Sequence, residues 1–174
     1  MDAHYDQVMK ARSSADVAVR SYFAYSTILD RAAFEEWRHQ HGYDFFELPV
    51  GEPAEAVDLT LDYDFPSRWW GGRVAGLVDS PGSSVHGLLF QIPGQDWPII
   101  QHKEGLVTNM CVERAVRLRT GRGELEATAF TTAANRKSTE GPVSTRFVEA
   151  LVRGAEAAGL PAPWVATLRT AVPR

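Results

Sequence analysis

The sequence predicts one α+β domain, a curled mixed sheet or small barrel with helices packed around it, and three of its features lead there. A single strong helical pattern follows the first strand-like segment, the middle of the chain is a succession of strand-like segments, and the remaining helical patterns gather near the end. Runs of strands followed by helices favour an α+β domain over a doubly wound α/β sheet. At 174 residues the chain is long enough to bury one sizeable core.

The elements follow in order. Residues 1–17 are polar and lack clear periodicity, so they read as a loose N-terminal arm, and residues 18–174 as the domain. Val17 to Tyr25 is rich in β-branched and aromatic residues and forms the expected central strand. Ser26 and Thr27 supply hydroxyls that can cap the next helix, with Asp30 three residues after Thr27 in the manner of a capping box. Leu29, Ala33 and Trp37, with Phe34 beside them, give that helix one apolar stripe, and Gly42 stops it. Tyr43 to Val50 reads as an aromatic-rich strand ended by Gly51-Glu52-Pro53.

Leu59, Leu61, Tyr63 and Phe65 alternate with Asp58, Thr60, Asp62 and Asp64, the period-2 pattern of a strand with one wet face. The three aspartates are placed on that face, because no loop glycine or closing glutamate accompanies them as a calcium loop requires. Arg73–Asp79 and Val85–Ile92 read as paired strands around a Pro81-Gly82 turn. A short helix with Pro98 in its first turn runs through Ile99 and Ile100 to Glu104 and Gly105. Met110–Leu118 and Leu125–Thr132 form a hairpin around Gly121 and Gly123. Ser144 caps a helix with the stripe Phe147, Leu151, Ala155 and Ala158, and Pro161 and Pro163 open a last short helix.

Composition narrows the function classes. A net charge of −4 with basic residues scattered among acids argues against a nucleic-acid partner. The first residues have no basic or apolar leader pattern, and no apolar run nears the ~20 residues of a membrane helix. The expected setting is cytoplasmic, without a membrane partner. Cys111 is the one cysteine and has no obvious base beside it, which makes it a packing residue. His39 and His41 cannot share a helical face, and His86 and His102 lack a third ligand at metal spacing, so no metal is expected. Arg114, Arg117, Arg119 and Arg122 fall on a solvated hairpin face.

Four segments, in this order and spacing, resemble the gamma-glutamylcyclotransferase family. They are Tyr22-Phe23-Ala24-Tyr25-Ser26-Thr27-Ile28-Leu29, Ser67-Arg68-Trp69-Trp70-Gly71-Gly72, Val85-His86-Gly87-Leu88-Leu89-Phe90, and Glu104-Gly105. The tail from Ser144-Thr145-Arg146-Phe147 to Gly159-Leu160-Pro161 is similar to the family's closing helices. The resemblance spans about Ser21 to Leu168 and implies a gamma-glutamylcyclotransferase-like mixed β-barrel with flanking helices around one open cavity.

It also implies a chemistry. A gamma-glutamyl amide cyclises to 5-oxoproline and expels its amine, a lyase or acyltransferase reaction that needs no cofactor, with Glu104 as general acid/base. The family's Tyr-Gly-Ser-Asn-Leu loop, which holds the substrate carboxylate, falls on Tyr25, Ser26, Thr27, Ile28 and Leu29. Arg68, Trp69 and Phe130 are further substrate-binding candidates, and Trp97, Ile99, Ile100 and Phe130 are expected to line the pocket around a partly desolvated Glu104. The chain departs from the pattern at Ser26, where the family has glycine, at Ile28, where it has asparagine, and at Phe130, where it often has tyrosine. Two alternatives stand beside the enzyme: a binding relative that holds a small carboxylate or amine without turnover, and a different lyase or acyltransferase on the same cavity. The expected partner is a small gamma-glutamyl molecule, with the protein a monomer or homodimer.

Overall fold

The computed structural model describes residues 3–14 and 18–171. Five strands, β1 (Val19–Ala24), β2 (Glu52–Ser67), β3 (Gly72–Pro93), β4 (Cys111–Thr120) and β5 (Gly123–Thr132), pair in the order β1-β3-β2-β4-β5. The sheet closes on itself where β1 meets β5 in parallel at Tyr22↔Thr128; the other pairings are antiparallel. Around it lie α1 (Ala3–Ser14), α2 (Arg31–Gln40), α3 (Trp97–Lys103), α4 (Thr145–Ala157) and α5 (Ala162–Arg169). This is the mixed α+β barrel with flanking helices that the element order predicted.

β1 is central because both its faces are buried. Phe23 and Tyr25 pack inside the barrel with Leu77, Val85, Leu89 and Leu118, while Tyr22 and Ala24 face the helices with Phe90, Ile92, Phe130 and Leu151. Period-2 alternation thus sends one strand into two cores, and the run reads as uninterrupted hydrophobicity.

Several boundaries differ from expectation, each for a local reason. The segment expected as a loose arm contains α1, whose Val8 is buried, whose Tyr5 stacks on Tyr43 at 5.8 Å and whose Arg12 meets Asp96 at 2.9 Å. The helix is held through single side chains such as Val8, Tyr5 and Arg12, the last also over the Phe45 ring at 4.4 Å, rather than through a periodic apolar stripe. Tyr43–Val50 is not a strand: Arg38 donates to the carbonyls of Asp44 and Phe46 at 2.7 and 2.6 Å, replacing a strand partner, while Phe46 and Leu48 fill the core.

The Pro81-Gly82 turn does not pair the segments on either side of it. β3 is one long strand along β2, and residues 80–83 form a large bulge opposite Asp58, whose carboxylate accepts from the Gly82 N–H at 2.9 Å. A second register shift, between Asp62 and Phe65, inserts an extra residue into β2 and resets its alternation. Asp64 is therefore not on the wet face but only 3% exposed, accepting from the Thr132 hydroxyl at 2.5 Å and paired with Lys137 at 2.7 Å.

Helix capping also shifts. Neither Ser26 nor Thr27 caps α2; a 3-10 turn over Thr27–Leu29 intervenes, and Asp30 is the cap, accepting from the Ala33 N–H at 3.4 Å. Ser144 does cap α4, accepting from Phe147 N–H at 3.1 Å. α4 packs so closely on the 3-10 turn that a Cβ at Gly154 would lie 2.5 Å from Asp30 N and 2.6 Å from Leu29 C. Arg153 on the same helix grips Asp30 at 2.9 Å. The end of β1 and its turn are thus fixed by α4, across more than a hundred residues of sequence.

Candidate active site

The end of β1, the 67–72 turn, α2, the end of α3 and the start of β4 enclose an open cavity of about 1230 Å³. Glu104 lines it from the C-terminal end of α3. The turn after it requires glycine: Gly105 has φ 81°, its carbonyl accepts from Thr108 N–H and Met110 N–H, and a Cβ would sit 2.9 Å from Met110 Cε. That reversal ends the helix and leads the chain into β4.

One oxygen of Glu104 is held. Tyr22 Oη donates to Glu104 Oε1 at 2.7 Å, and Tyr22 is itself boxed by Phe90, Trp97 and Phe130 with ring centroids 5.9–6.1 Å away. Burial first, and then the charge of Glu104, pushes the Tyr22 hydroxyl well above the usual tyrosine range, so it stays a proton donor. No described residue hydrogen-bonds to Oε2. Tyr25 is raised as well, by burial and then by Glu104, and its hydroxyl donates to the Phe130 carbonyl at 2.5 Å.

Two neighbours complete the floor. Burial holds the Lys103 ammonium below the usual lysine range, and Glu104 opposes that shift; the amine lies 5.7 Å from the Trp37 ring centroid. Burial, then Glu104, pushes the Cys111 thiol up to about 12, which leaves it protonated and non-nucleophilic at neutral pH. On the cavity wall His41 and His102 meet ring to ring at 5.2 Å, with Trp37 4.6 Å from His41 and the Tyr43 hydroxyl 2.8 Å from His102 Nδ1. Among the described residues no group of three or more His, Cys, Asp or Glu could hold a metal ion.

The structure brings Tyr25, Ser26, Thr27, Arg68, Trp69, Glu104 and Phe130 to one cavity. It does not bring Ile28 and Leu29 there: both turn into the core against α4, at 2% and 6% exposure, because the 3-10 turn rotates them away from the cavity. Trp97, Ile99 and Ile100 likewise belong to the core behind Glu104 rather than to the cavity lining. Ser26, in the family's glycine position, has φ −114°, ordinary extended backbone, and its side chain makes no capping bond. Trp69 is 69% exposed at the mouth.

Sequence reasoning missed Tyr22 as a partner of Glu104 and Lys103 as its half-buried neighbour. It also treated His41 and His102 only as failed metal ligands. Alternation along β1 could have flagged Tyr22, since Tyr22 and Tyr25 lie on opposite faces and the substrate loop had been assigned only from Tyr25 onward.

A closed five-stranded mixed barrel with flanking helices, opening into a cavity that Glu104 lines, defines a gamma-glutamylcyclotransferase-like fold, and the solved structures agree. One entitled gamma-glutamyl cyclotransferase superimposes with a TM-score of 0.71 at 22% identity, over 90% of this chain and 89% of that one. YkqA from Bacillus subtilis gives 0.74 at 20% identity, over 95% of this chain and 57% of that one. The yeast gamma-glutamyl cyclotransferase specific to glutathione gives 0.57 at 9% identity, over 89% and 96%. Residues 84–168 match the AIG2-like family model, a span that runs from β3 through Glu104 to α5. No curated protein matches the chain. The AIG2-like match over residues 84–168 and the shared fold thus agree with the resemblance that the motifs carried.

Proposed function

We propose that the protein is a cofactor-independent gamma-glutamyl cyclotransferase that releases 5-oxoproline from a gamma-glutamyl amine, peptide or biosynthetic intermediate. The observation that carries this is Glu104 on the cavity lining, with Oε1 held by a buried tyrosine and Oε2 without a hydrogen bond from any described residue. A carboxylate so placed has one oxygen oriented and one available to a substrate proton.

The chemistry needs little else. The substrate's α-amine attacks its own δ-carbonyl carbon, forming the ring C–N bond; Glu104 Oε2 takes the proton that the nitrogen gives up. The tetrahedral intermediate then collapses, the bond to the leaving amine breaks, and Glu104 returns the proton to that amine. Orientation supplies much of the rate, because aligned intramolecular groups reach effective molarities of ~10⁵ to 10⁸ M. Ser26 and Thr27, which line the same cavity, take the substrate carboxylate. The apolar core behind Glu104, built from Trp97, Ile99 and Ile100, keeps water from that side of the carboxylate.

The test is 5-oxoproline release from a panel of gamma-glutamyl compounds by the parent protein and by Glu104→Gln, with circular dichroism to show that both are folded. Turnover in the parent that falls at least 10³-fold in the variant is expected, the low end of the ~10²–10⁴ typical of a general acid/base being exceeded when one group serves both steps. A folded parent that binds a gamma-glutamyl ligand without turning any over would replace the enzyme with a receptor.

A further inference from the structure

The mouth of the cavity has a charge pattern that the cyclisation does not use. Arg114, Arg117, Arg119 and Arg122 on the barrel face each meet a carboxylate, as Arg153 meets Asp30 at the cavity edge. Arg68, Arg136 and Arg146 line the cavity, and none of the three is ion-paired among the described residues. In a chain of net charge −4, unpaired guanidiniums gathered from three separate segments are a local excess that a ligand can neutralise. The cavity's own carboxylates are Glu36, Glu104 and Glu149.

These segments are also fixed in place. In the 67–72 turn, which carries Arg68 and Trp69, Trp70 N–H donates to Ser67 Oγ at 3.2 Å, Gly71 N–H donates to the Ser67 carbonyl at 3.0 Å, and Ser144 Oγ donates to the Trp70 carbonyl at 2.6 Å. The segment that carries Arg136 is tied to buried Asp64 through Lys137 at 2.7 Å and through Ser138 N–H, which donates to the Asp64 carbonyl at 2.7 Å. Arg146 rises from the first turn of α4, its guanidinium 5.8 Å from the Trp70 ring centroid. Trp69, beside Arg68 on its turn, is exposed, and its carbonyl accepts from Arg146 Nη1 at 3.4 Å.

We propose that the mouth is a leaving-group subsite for a large anionic amine, one that bears carboxylate or phosphate and a planar face to lie on Trp69. The cavity supports the size: about 1230 Å³ exceeds the roughly 300–1,000 Å³ of most small-molecule sites and is far more than a glutamyl group fills. Guanidinium forks bind carboxylate and phosphate through paired N–H donors, and an exposed indole offers a stacking face. The subsite rests on the cyclotransferase function proposed above, but it can fail separately.

Three matched probes separate the possibilities: the gamma-glutamyl amides of tyramine, tyrosine and phosphotyrosine, which share a ring and add first a carboxylate and then a phosphate. The expected result is a kcat/KM that rises by on the order of tenfold from the first to the last, screened by added salt. The ratio should collapse toward one in an Arg68→Gln, Arg136→Gln, Arg146→Gln protein. A rise at the carboxylate step alone identifies a carboxylate subsite; a rise at the phosphate step identifies a phosphate one. Equal turnover of all three amides overturns the subsite and leaves the cyclotransferase intact. If none turns over, calorimetry with the phosphotyrosine amide decides the subsite alone: binding weakened by the triple substitution upholds it, and binding that is absent or unchanged by the substitution overturns it.

Discussion

Replacing Tyr22 with phenylalanine removes one hydroxyl and little else. The ring is buried among Phe90, Trp97 and Phe130, so phenylalanine keeps the packing and opens no cavity larger than the lost oxygen. What disappears is the 2.7 Å hydrogen bond to Glu104 Oε1. A hydrogen bond to a charged group is worth about 1.5–3 kcal/mol, and each 1.36 kcal/mol of barrier is tenfold in rate, so kcat/KM should drop by roughly 10- to 100-fold. The assay is kcat and KM for 5-oxoproline release on Tyr22→Phe, beside thermal unfolding. An unchanged melting temperature with reduced kcat and a nearly unchanged KM places Tyr22 as the residue that positions Glu104. A kcat that is unchanged, or that falls only in proportion to stability, would refute the reasoning.

Two further outcomes test the fold around the site. Gly154→Ala should destabilise by about 1–3 kcal/mol, the usual cost of overpacking, because the new Cβ would meet backbone atoms of Leu29 and Asp30 at 2.5–2.6 Å; chemical denaturation reads it, and weakened binding of a gamma-glutamyl ligand should accompany it because the displaced turn carries Thr27. Alkali should destabilise the protein in a defined window. Cys111 is raised from 9.0 to about 12 and Tyr63 from 10.0 to about 12 by burial, with Tyr22 and Tyr25 raised as well. Above pH 9 the unfolded chain therefore loses protons that the folded one keeps, and stability present below that pH declines as pH rises toward 12. Denaturant midpoints at pH 8, 9.5 and 10.5 should fall in that order, and a flat series would show that these groups are not desolvated.

The sequence alone determined whatever depended on neighbours in the chain. The β1 run, the helix around Phe34, the Ser144 cap and the glycine after Glu104 were legible because propensity, alternation and capping act within a few residues, whereas Leu29 of the expected stripe fell in the 3-10 turn before α2. The quoted motifs pointed to the fold and to Glu104 for the same reason, since each is a short local pattern. Tertiary structure decided the rest. Asp64 went inside because a bulge against β3 reset the alternation of β2, and Tyr43–Val50 gave up its strand because Arg38 took the carbonyls a neighbouring strand would have used. Ile28 left the cavity for the core because Gly154, from the far end of the chain, admits the 3-10 turn against α4. Tyr22 found Glu104 across eighty-two positions, and three arginines from separate segments came to one mouth. Contacts of this kind depend on which surfaces meet once the barrel closes, and a linear pattern carries no term for that.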